Sequence, residues 1–149
     1  MSRKIMLFVS AFALVATVAI SGCAKNSGGK ILIASDCTWP PMEFVDENKQ
    51  IVGFDIDLIK AAAKAGNFEV EIKNAAWDGI FAGLAAGKYD AVISSVTIND
   101  DRKKTMDFSI PYLSAGQILV VRKDTKNLSK LEDFKGKTAG AQIGTTGAF

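Results

Sequence analysis

The chain of 149 residues contains no histidine. That absence excludes Ser-His-Asp and Cys-His catalysis, together with histidine-ligated zinc sites. Cysteine occurs twice, at Cys23 and Cys37. Two cysteines outside any Cys-x-x-Cys pair cannot build a disulfide framework. An excess of one charge is missing too: 18 Lys and Arg stand against 16 Asp and Glu, a formal net charge of +2. So small a value does not argue for nucleic acid or an acidic membrane surface. What is present is globular in composition and not disordered, with 48% apolar residues, nine Phe, two Trp and two Tyr. The length supports an ordinary hydrophobic core. Composition therefore leaves a binding protein, or an enzyme that works with carboxylates, hydroxyls or arginine.

Residues 1–22 read as an export signal. Arg3 and Lys4 form a short basic flank, and Ile5 to Ile20 is a 16-residue apolar run broken only by Ser10 and Thr17. A spanning helix needs about 20 apolar residues, so the run is short for a membrane span and suits a signal-peptide core. It ends in Ile20-Ser21-Gly22-Cys23, which resembles the lipobox of bacterial lipoproteins. Small residues before the cysteine admit a peptidase, and the Cys23 thiol is the nucleophile that takes up a diacylglyceryl group. The plainer alternative is an ordinary signal peptide with an incidental cysteine. Residues 23–29, with Lys25-Asn26-Ser27-Gly28-Gly29, read as a flexible tether. Removal of Arg3 and Lys4 with the leader leaves 16 basic and 16 acidic residues, a neutral mature chain. Cys37 is then the lone unmodified thiol, and the plainer reading of it is a small buried residue.

The remainder alternates strands and helices. Ile31-Leu32-Ile33-Ala34 is the near-continuous apolar run of a strand buried on both faces. A turn-rich stretch follows through Pro40-Pro41 and Asp46-Glu47-Asn48-Lys49. The spacing of Leu58, Ile59, Ala62 and Ala63 predicts a helix capped by Asp55, running to Ala65 and stopped by Gly66-Asn67. Phe68 to Lys73 alternates as a strand with one wet face. Ile80, Phe81, Leu84 and Ala85 mark a second helix closed by Gly87, and Ala91-Val92-Ile93 a third strand. Asn99 is placed to cap a third helix with Asp100 and Asp101 in its first turn. Such alternation implies an α/β fold with a parallel sheet sandwiched by helices. Ligands in these sheets sit beyond the carboxyl ends of the strands. The candidate loops are therefore Asp36 to Phe44, Asn74 to Asp78, and Ser94 to Arg102.

Those loops carry the chemistry for a small zwitterion. Arg102 can meet a carboxylate with two parallel hydrogen bonds, and Ser94, Ser95 and Thr97 can complete its satisfaction. Trp39 and Trp77 can sandwich an apolar or cationic side chain, and Asp36 can receive a distant amine or amide. Taken singly, each has a plainer reading. The tryptophans fit a core, the serines a strand end, Arg102 a solvated face beside Lys103 and Lys104, and Asp36 a turn cap. Convergence on one sheet edge is what joins them. Gly83 to Tyr89 lacks the spacing and Ser/Thr of a phosphate loop, and Gly140 to Gly147 is no dinucleotide fingerprint. Asp55/Asp57 and Asp46/Glu47 are a weak basis for a metal without His or a cysteine cluster. No cofactor, metal or catalytic residue is expected.

Five segments occur in order: Gly53-Phe54-Asp55-Ile56-Asp57-Leu58, Trp77-Asp78-Gly79-Ile80, Gly87-Lys88-Tyr89-Asp90-Ala91-Val92, the run Ser94 to Arg102, and Asp107-Phe108-Ser109 with Pro111-Tyr112. Together they resemble the family 3 extracellular solute-binding proteins, the amino-acid receptors of ABC importers. The resemblance implies a two-lobed periplasmic-binding-protein fold of type II, with residues 30–114 as lobe 1, 115–122 as a hinge strand and 123–149 as an incomplete lobe 2. It implies that the ligand α-carboxylate meets Arg102 and the Ser95/Thr97 region, and that the ligand side chain lies between aromatics matching Trp39 and Trp77, with Asp36 within reach. Ser129-Lys130-Leu131-Glu132 has capping-box spacing, and Thr138 to Gln142 resembles a lobe-two strand. Gly144-Thr145-Thr146 resembles the loop that closes on the ligand, or is an ordinary strand-to-helix turn; Thr145 and Thr146 join the candidate set on the first reading. Family members continue well beyond Phe149, so the chain is expected to be a fragment.

The expected function is a lipid-anchored substrate-binding protein, exported to the periplasmic or cell-surface face. It would capture a polar amino acid, basic or amide side chains favoured, and deliver it to an ABC transporter permease. The alternatives are an enzyme on the same scaffold, cyclohexadienyl-dehydratase-like, and an extracellular sensor input domain.

Overall fold

A computed structural model describes residues 29–148. The expected leader 1–22, the lipidation candidate Cys23 and the tether 23–29 except Gly29 lie outside the described residues. The chain runs β1 (Ile31–Ser35), β2 (Thr38–Trp39), β3 (Glu43–Val45), β4 (Ile51–Val52), α1 (Phe54–Gly66), β5 (Val70–Asn74), α2 (Ile80–Ala85), β6 (Ala91–Val92) and α3 (Asp100–Lys103). Two 3-10 turns follow, at Leu131–Phe134 and Thr146–Ala148.

The apolar β1 run takes the centre of a parallel sheet ordered β5-β1-β6. Ile31 pairs with Val70 and Ser35 with Asn74, while Ile33 and Ala34 pair with Ala91 and Val92. Only a central strand needs to bury both faces, and Ile33, Ala34 and Ser35 are buried. β5 alternates as its sequence predicts, Val70 and Ile72 being less exposed than Glu71, Lys73 and Asn74. The core gathers Ala34, Ile80 and Tyr89, with Leu32, Ala75, Trp77, Phe81, Leu84 and Val92 packed against it. Tyr89 donates its hydroxyl to the Ile80 carbonyl, and Gly83 leaves the room that the tyrosine ring fills.

Helix α1 stops as expected: Asn67 takes the left-handed conformation at φ 53° and returns its N–H to the Ala63 and Lys64 carbonyls. Its start corrects the expectation. Asp55 is not the cap; Gly53 occupies that position at φ 127°, and no side chain caps the helix. A residue with a Cβ at Gly53 would run into the Met42 backbone. The close approach lets Phe54 N–H reach the Pro41 carbonyl at 3.1 Å and Asp55 N–H the Met42 carbonyl at 2.9 Å. Asp55 thus lies inside the first turn, fully buried. At α3 the expected cap is present, Asn99 Oδ1 accepting from Arg102 N–H at 2.9 Å.

The segment read as turn-rich also folds further than its sequence suggests. β2, β3 and β4 form an antiparallel sheet, Thr38 opposite Phe44 and Val45 opposite Ile51. Strands of two or three residues are too short to show periodicity. Asp46 Oδ1 accepts from Asn48 N–H and Gln50 N–H, which closes the β3–β4 turn.

Beyond α3, regular structure is sparse. Residues 115–122 pair with no strand among the described residues, and Ile118, Leu119, Val120 and Val121 are exposed. Residues 138–142 likewise form no strand there. The capping box expected from Ser129 and Glu132 is made by Asp133 instead. Its Oδ2 accepts from Ser129 N–H at 2.9 Å and Lys130 N–H at 3.1 Å, contacts that hold its carboxyl below the ordinary range. The helical turn begins one residue later than the spacing predicts, so the acid one residue later reaches back. Among the described residues no helix is long and apolar enough to cross a membrane.

Candidate functional site

Because β1 lies between β5 and β6, the loops leaving all three strands share one edge, as the alternating pattern predicts. Polar contacts join them. Asp36 N–H donates to Ser94 Oγ at 3.1 Å, linking the β1 and β6 loops, and Cys37 N–H donates to Asn74 Oδ1 at 3.2 Å, linking β1 to β5.

Arg102 is the focus of the outer part of this edge. Its side chain is fixed from both directions: Nη1 donates to the Thr97 carbonyl at 2.8 Å and Nη2 to the Gly144 carbonyl at 3.0 Å. The guanidinium carbon lies 5.5 Å from the Trp77 ring centre and 5.1 Å from that of Phe81. Those two rings meet edge to face at 5.1 Å. A guanidinium over aromatic faces gains about 0.5–2 kcal/mol, depending on desolvation. Partial burial pulls the group below its ordinary pKa, yet an arginine retains its charge. It has five N–H donors in a planar fork, and the two carbonyls leave the rest of the fork without a partner among the described residues. Beside it, Thr97 Oγ1 and Thr146 Oγ1 lie 3.1 Å apart, and Gln117 Nε2 donates to Thr146 Oγ1 at 3.0 Å. A planar cation, two hydroxyls and an amide around apolar walls suit a small carboxylate.

Beneath this cluster lies a second set of polar groups turned inward. Ser94 Oγ donates to Glu43 Oε1 at 2.7 Å. Asp55 Oδ2 accepts from Ser95 N–H at 2.6 Å, Ser95 Oγ at 3.1 Å and the Tyr112 hydroxyl at 2.9 Å. Glu43 and Asp55 are buried, at 1% and 0% exposure. Burial is the main cause that raises the Glu43 carboxyl to about 8; the Ser94 hydrogen bond opposes it, and the charges of Asp55 and then Asp36 add to the rise. Burial and the Asp55 charge also push the Tyr112 hydroxyl up. Ser95 sits at φ 45°, the left-handed region, and Asp55 holds it there.

The residues nominated from sequence therefore divide. Trp77, Thr97, Arg102 and Thr146 come together, closed on one side by the Gly144 carbonyl. Ser94 and Ser95 are present at the edge, but their hydroxyls are engaged by Glu43 and Asp55. Asp36 is buried and accepts from Thr38 Oγ1 at 3.0 Å. Thr145 turns its hydroxyl to the Gln142 carbonyl at 2.7 Å. Trp39, on β2, is 50% exposed, and the ring that meets Trp77 over Arg102 is Phe81. The sequence pattern marks Phe81 only as one of the apolar positions of the second helix, and Trp77 precedes that helix, so no helical spacing joins the two rings. Sequence reading passed over Glu43 and Gln117, and took Asp55 for a cap. Among the described residues, no three His, Cys, Asp or Glu side chains are grouped to hold a metal ion.

Residues 31–140 match the pattern of the bacterial extracellular solute-binding proteins, family 3. A probable histidine-binding protein of Neisseria gonorrhoeae is 43% identical over 126 residues, 85% of this chain and 47% of the relative. An ancestral arginine-binding protein solved with glutamine bound superposes with a TM-score of 0.76 at 48% identity, over 80% of this chain and 53% of that one. The ancestral amino acid-binding protein AncCDT-1, a precursor of cyclohexadienyl dehydratase, superposes at 0.67 with 44% identity, over 71% of this chain and 47% of that one. The chain thus spans about half the length of the curated relatives it matches. These relatives are amino-acid-binding proteins and their architecture is the α/β type II periplasmic-binding fold. With its sheet order, its Trp77–Arg102 edge and its matching segment, this chain belongs to the bacterial extracellular solute-binding proteins of family 3.

Proposed function

We propose that the protein captures a polar amino acid outside the cytoplasm and hands it to the permease of an ABC importer. The observation that carries this reading is Arg102, stacked on Trp77 and Phe81 with part of its donor fork unused beside the Thr97 and Thr146 hydroxyls. A ligand α-carboxylate would take the free fork, and each charge-assisted bond contributes about 1.5–3 kcal/mol. The hydroxyls would donate to the same carboxylate. A basic or amide side chain would run along the aromatic walls, with Trp39 and the Asp36 region beyond them. The ligands that give the relatives their names or are bound in them, histidine for one and arginine or glutamine for another, are of this polar kind.

In this reading residues 30–114 form the first lobe, 115–122 the hinge and 123–149 the start of the second, which closes on the ligand through Gly144 to Thr146. The contacts of Arg102 and Thr97 with that loop support it. Residues 1–22 direct export and Cys23 carries a lipid that tethers the protein to a membrane. The neutral mature chain and the absence of histidine fit a clamp with no proton shuttle.

Calorimetry on protein expressed from its native reading frame, titrated with the common amino acids, tests the proposal. Binding to a polar amino acid that Arg102→Ala abolishes is expected; binding to none, or affinity unchanged in that variant, refutes it. The likeness to a dehydratase precursor motivates one further assay, incubation with a cyclohexadienyl carboxylic acid such as prephenate. Turnover there would replace the transport reading with an enzymatic one.

A further inference from the structure

The inner polar cluster poses a problem of its own. Among the described residues, Glu43 Oε2 and Asp55 Oδ1 are buried with no hydrogen-bond partner. Two carboxyl oxygens left bare in an apolar interior would cost several kcal/mol if both groups were ionised. Their other oxygens are fully used, Glu43 Oε1 by Ser94 and Asp55 Oδ2 by Ser95 and Tyr112. The backbone brings the two groups together: Asp55 N–H bonds the carbonyl of Met42, the residue before Glu43, at 2.9 Å, and their serine partners, Ser94 and Ser95, are chain neighbours. Neither ionised group can donate to the other; a single proton between them satisfies both oxygens at once.

We infer that Glu43 is held as the neutral acid, its Oε2–H donating to Asp55 Oδ1, and that this shared proton fixes Asp55 as a positioning residue for the Ser95 loop and Tyr112. The surroundings agree from every side. From the β1 loop come Asp36, which is buried, and the Cys37 thiol, itself pushed up chiefly by burial. From β3 comes Glu43, from α1 Asp55, and from the segment after α3 the Tyr112 hydroxyl. No lysine or arginine forms an ion pair with either carboxyl among the described residues. Desolvation and like charge both favour the protonated acid, and the raised pKa of Glu43 follows from those causes.

The arrangement reaches the candidate ligand edge through one chain step. Asp55 holds Ser95 at its left-handed φ, and Thr97, two residues on, presents the carbonyl that orients Arg102. Tyr112, the third partner of Asp55, lies just before residues 115–122. A proton lost from Glu43 would set two anions against each other and loosen both attachments.

The inference rests on the proposed amino-acid site only for its effect on binding, so two measurements separate the parts. The first is a 13C NMR titration of the Glu43 carboxyl in protein from the native reading frame, with Asp55→Asn as comparison. We expect Glu43 protonated at neutral pH, with its pKa falling when the Asp55 charge is removed. Titration in the ordinary carboxylate range overturns the shared proton. The second is calorimetric affinity for the best-binding amino acid between about pH 6 and pH 9. Wild type is expected to weaken by about tenfold or more as the pH rises, and Glu43→Gln, whose amide still donates to Asp55, to lose that pH dependence. Equal pH dependence in both proteins overturns the positioning role. Absence of any amino-acid binding would refute the proposed function while leaving the NMR result decisive for the proton.

Discussion

Replacing Arg102 by Lys tests the proposed site more sharply than removing it. Lysine keeps the charge but not the planar fork, and it cannot bond two carbonyls and a carboxylate in one plane. In the structure the two Nη atoms are already committed to the Thr97 and Gly144 carbonyls at 2.8 and 3.0 Å, and the ring faces of Trp77 and Phe81 hold the plane in place. The ligand therefore meets a group oriented before it arrives, which saves ordering entropy. Arg102→Ala removes both charge-assisted bonds to a carboxylate, about 3–6 kcal/mol at 1.5–3 each. By the rule that 1.4 kcal/mol is tenfold, that is a loss of about 10²–10⁴ in affinity. Arg102→Lys retains one bond of the pair and should lose about 10–100-fold. Folding should suffer little, because the two carbonyl bonds are largely exposed and contribute at most about 1 kcal/mol each. Calorimetry gives the affinities and urea denaturation the stability. A lysine variant that binds as tightly as wild type refutes the fork argument. An alanine variant that unfolds along with its loss of binding refutes the separation of binding from stability.

The other expectations concern the scaffold and the leader. Ile56 is fully buried, so Ile56→Ala should cost about 2–5 kcal/mol, read as a lower urea midpoint at unchanged slope. Gly53→Ala places a Cβ against the Met42 backbone at φ 127° and should destabilise by about 1–3 kcal/mol, whereas the open, exposed Gly140 should tolerate alanine. For Glu43 the folded-state pKa of about 8 lies above its ordinary 4.5, so the folded state binds the extra proton and stability falls as pH rises between those values. The fall should be about 1.4 kcal/mol per pH unit, flattening above the folded pKa, and the gap between wild type and Glu43→Gln isolates it. Cys23→Ser should move the exported protein from the membrane fraction to the soluble one, and retention on the membrane would refute lipidation there.

Much of the fold was readable in sequence because its signals are local. Apolar Ile31-Leu32-Ile33-Ala34, the helical spacing of Leu58, Ile59, Ala62 and Ala63, the Gly66-Asn67 stop and the Asn99 cap each act within a few residues. The loop nominations followed from topology, since parallel strands joined by helices put their carboxyl ends together. What escaped was set by contacts distant in sequence. Asp55 reads as a cap because acids favour helix starts. It became a buried acceptor only because Ser95, 40 residues away, and Tyr112, 57 away, bring donors to it. Glu43 reads as an exposed turn residue until a buried serine 51 residues on donates to it. Phe81 satisfies the core pattern and the Arg102 pattern with the same ring, so periodicity identified only the first role. The two buried acids share one cause. Burying an acid is so unfavourable that sequence reasoning places it outside by default, and only the assembled donors, or a proton held between two acids, make the exception.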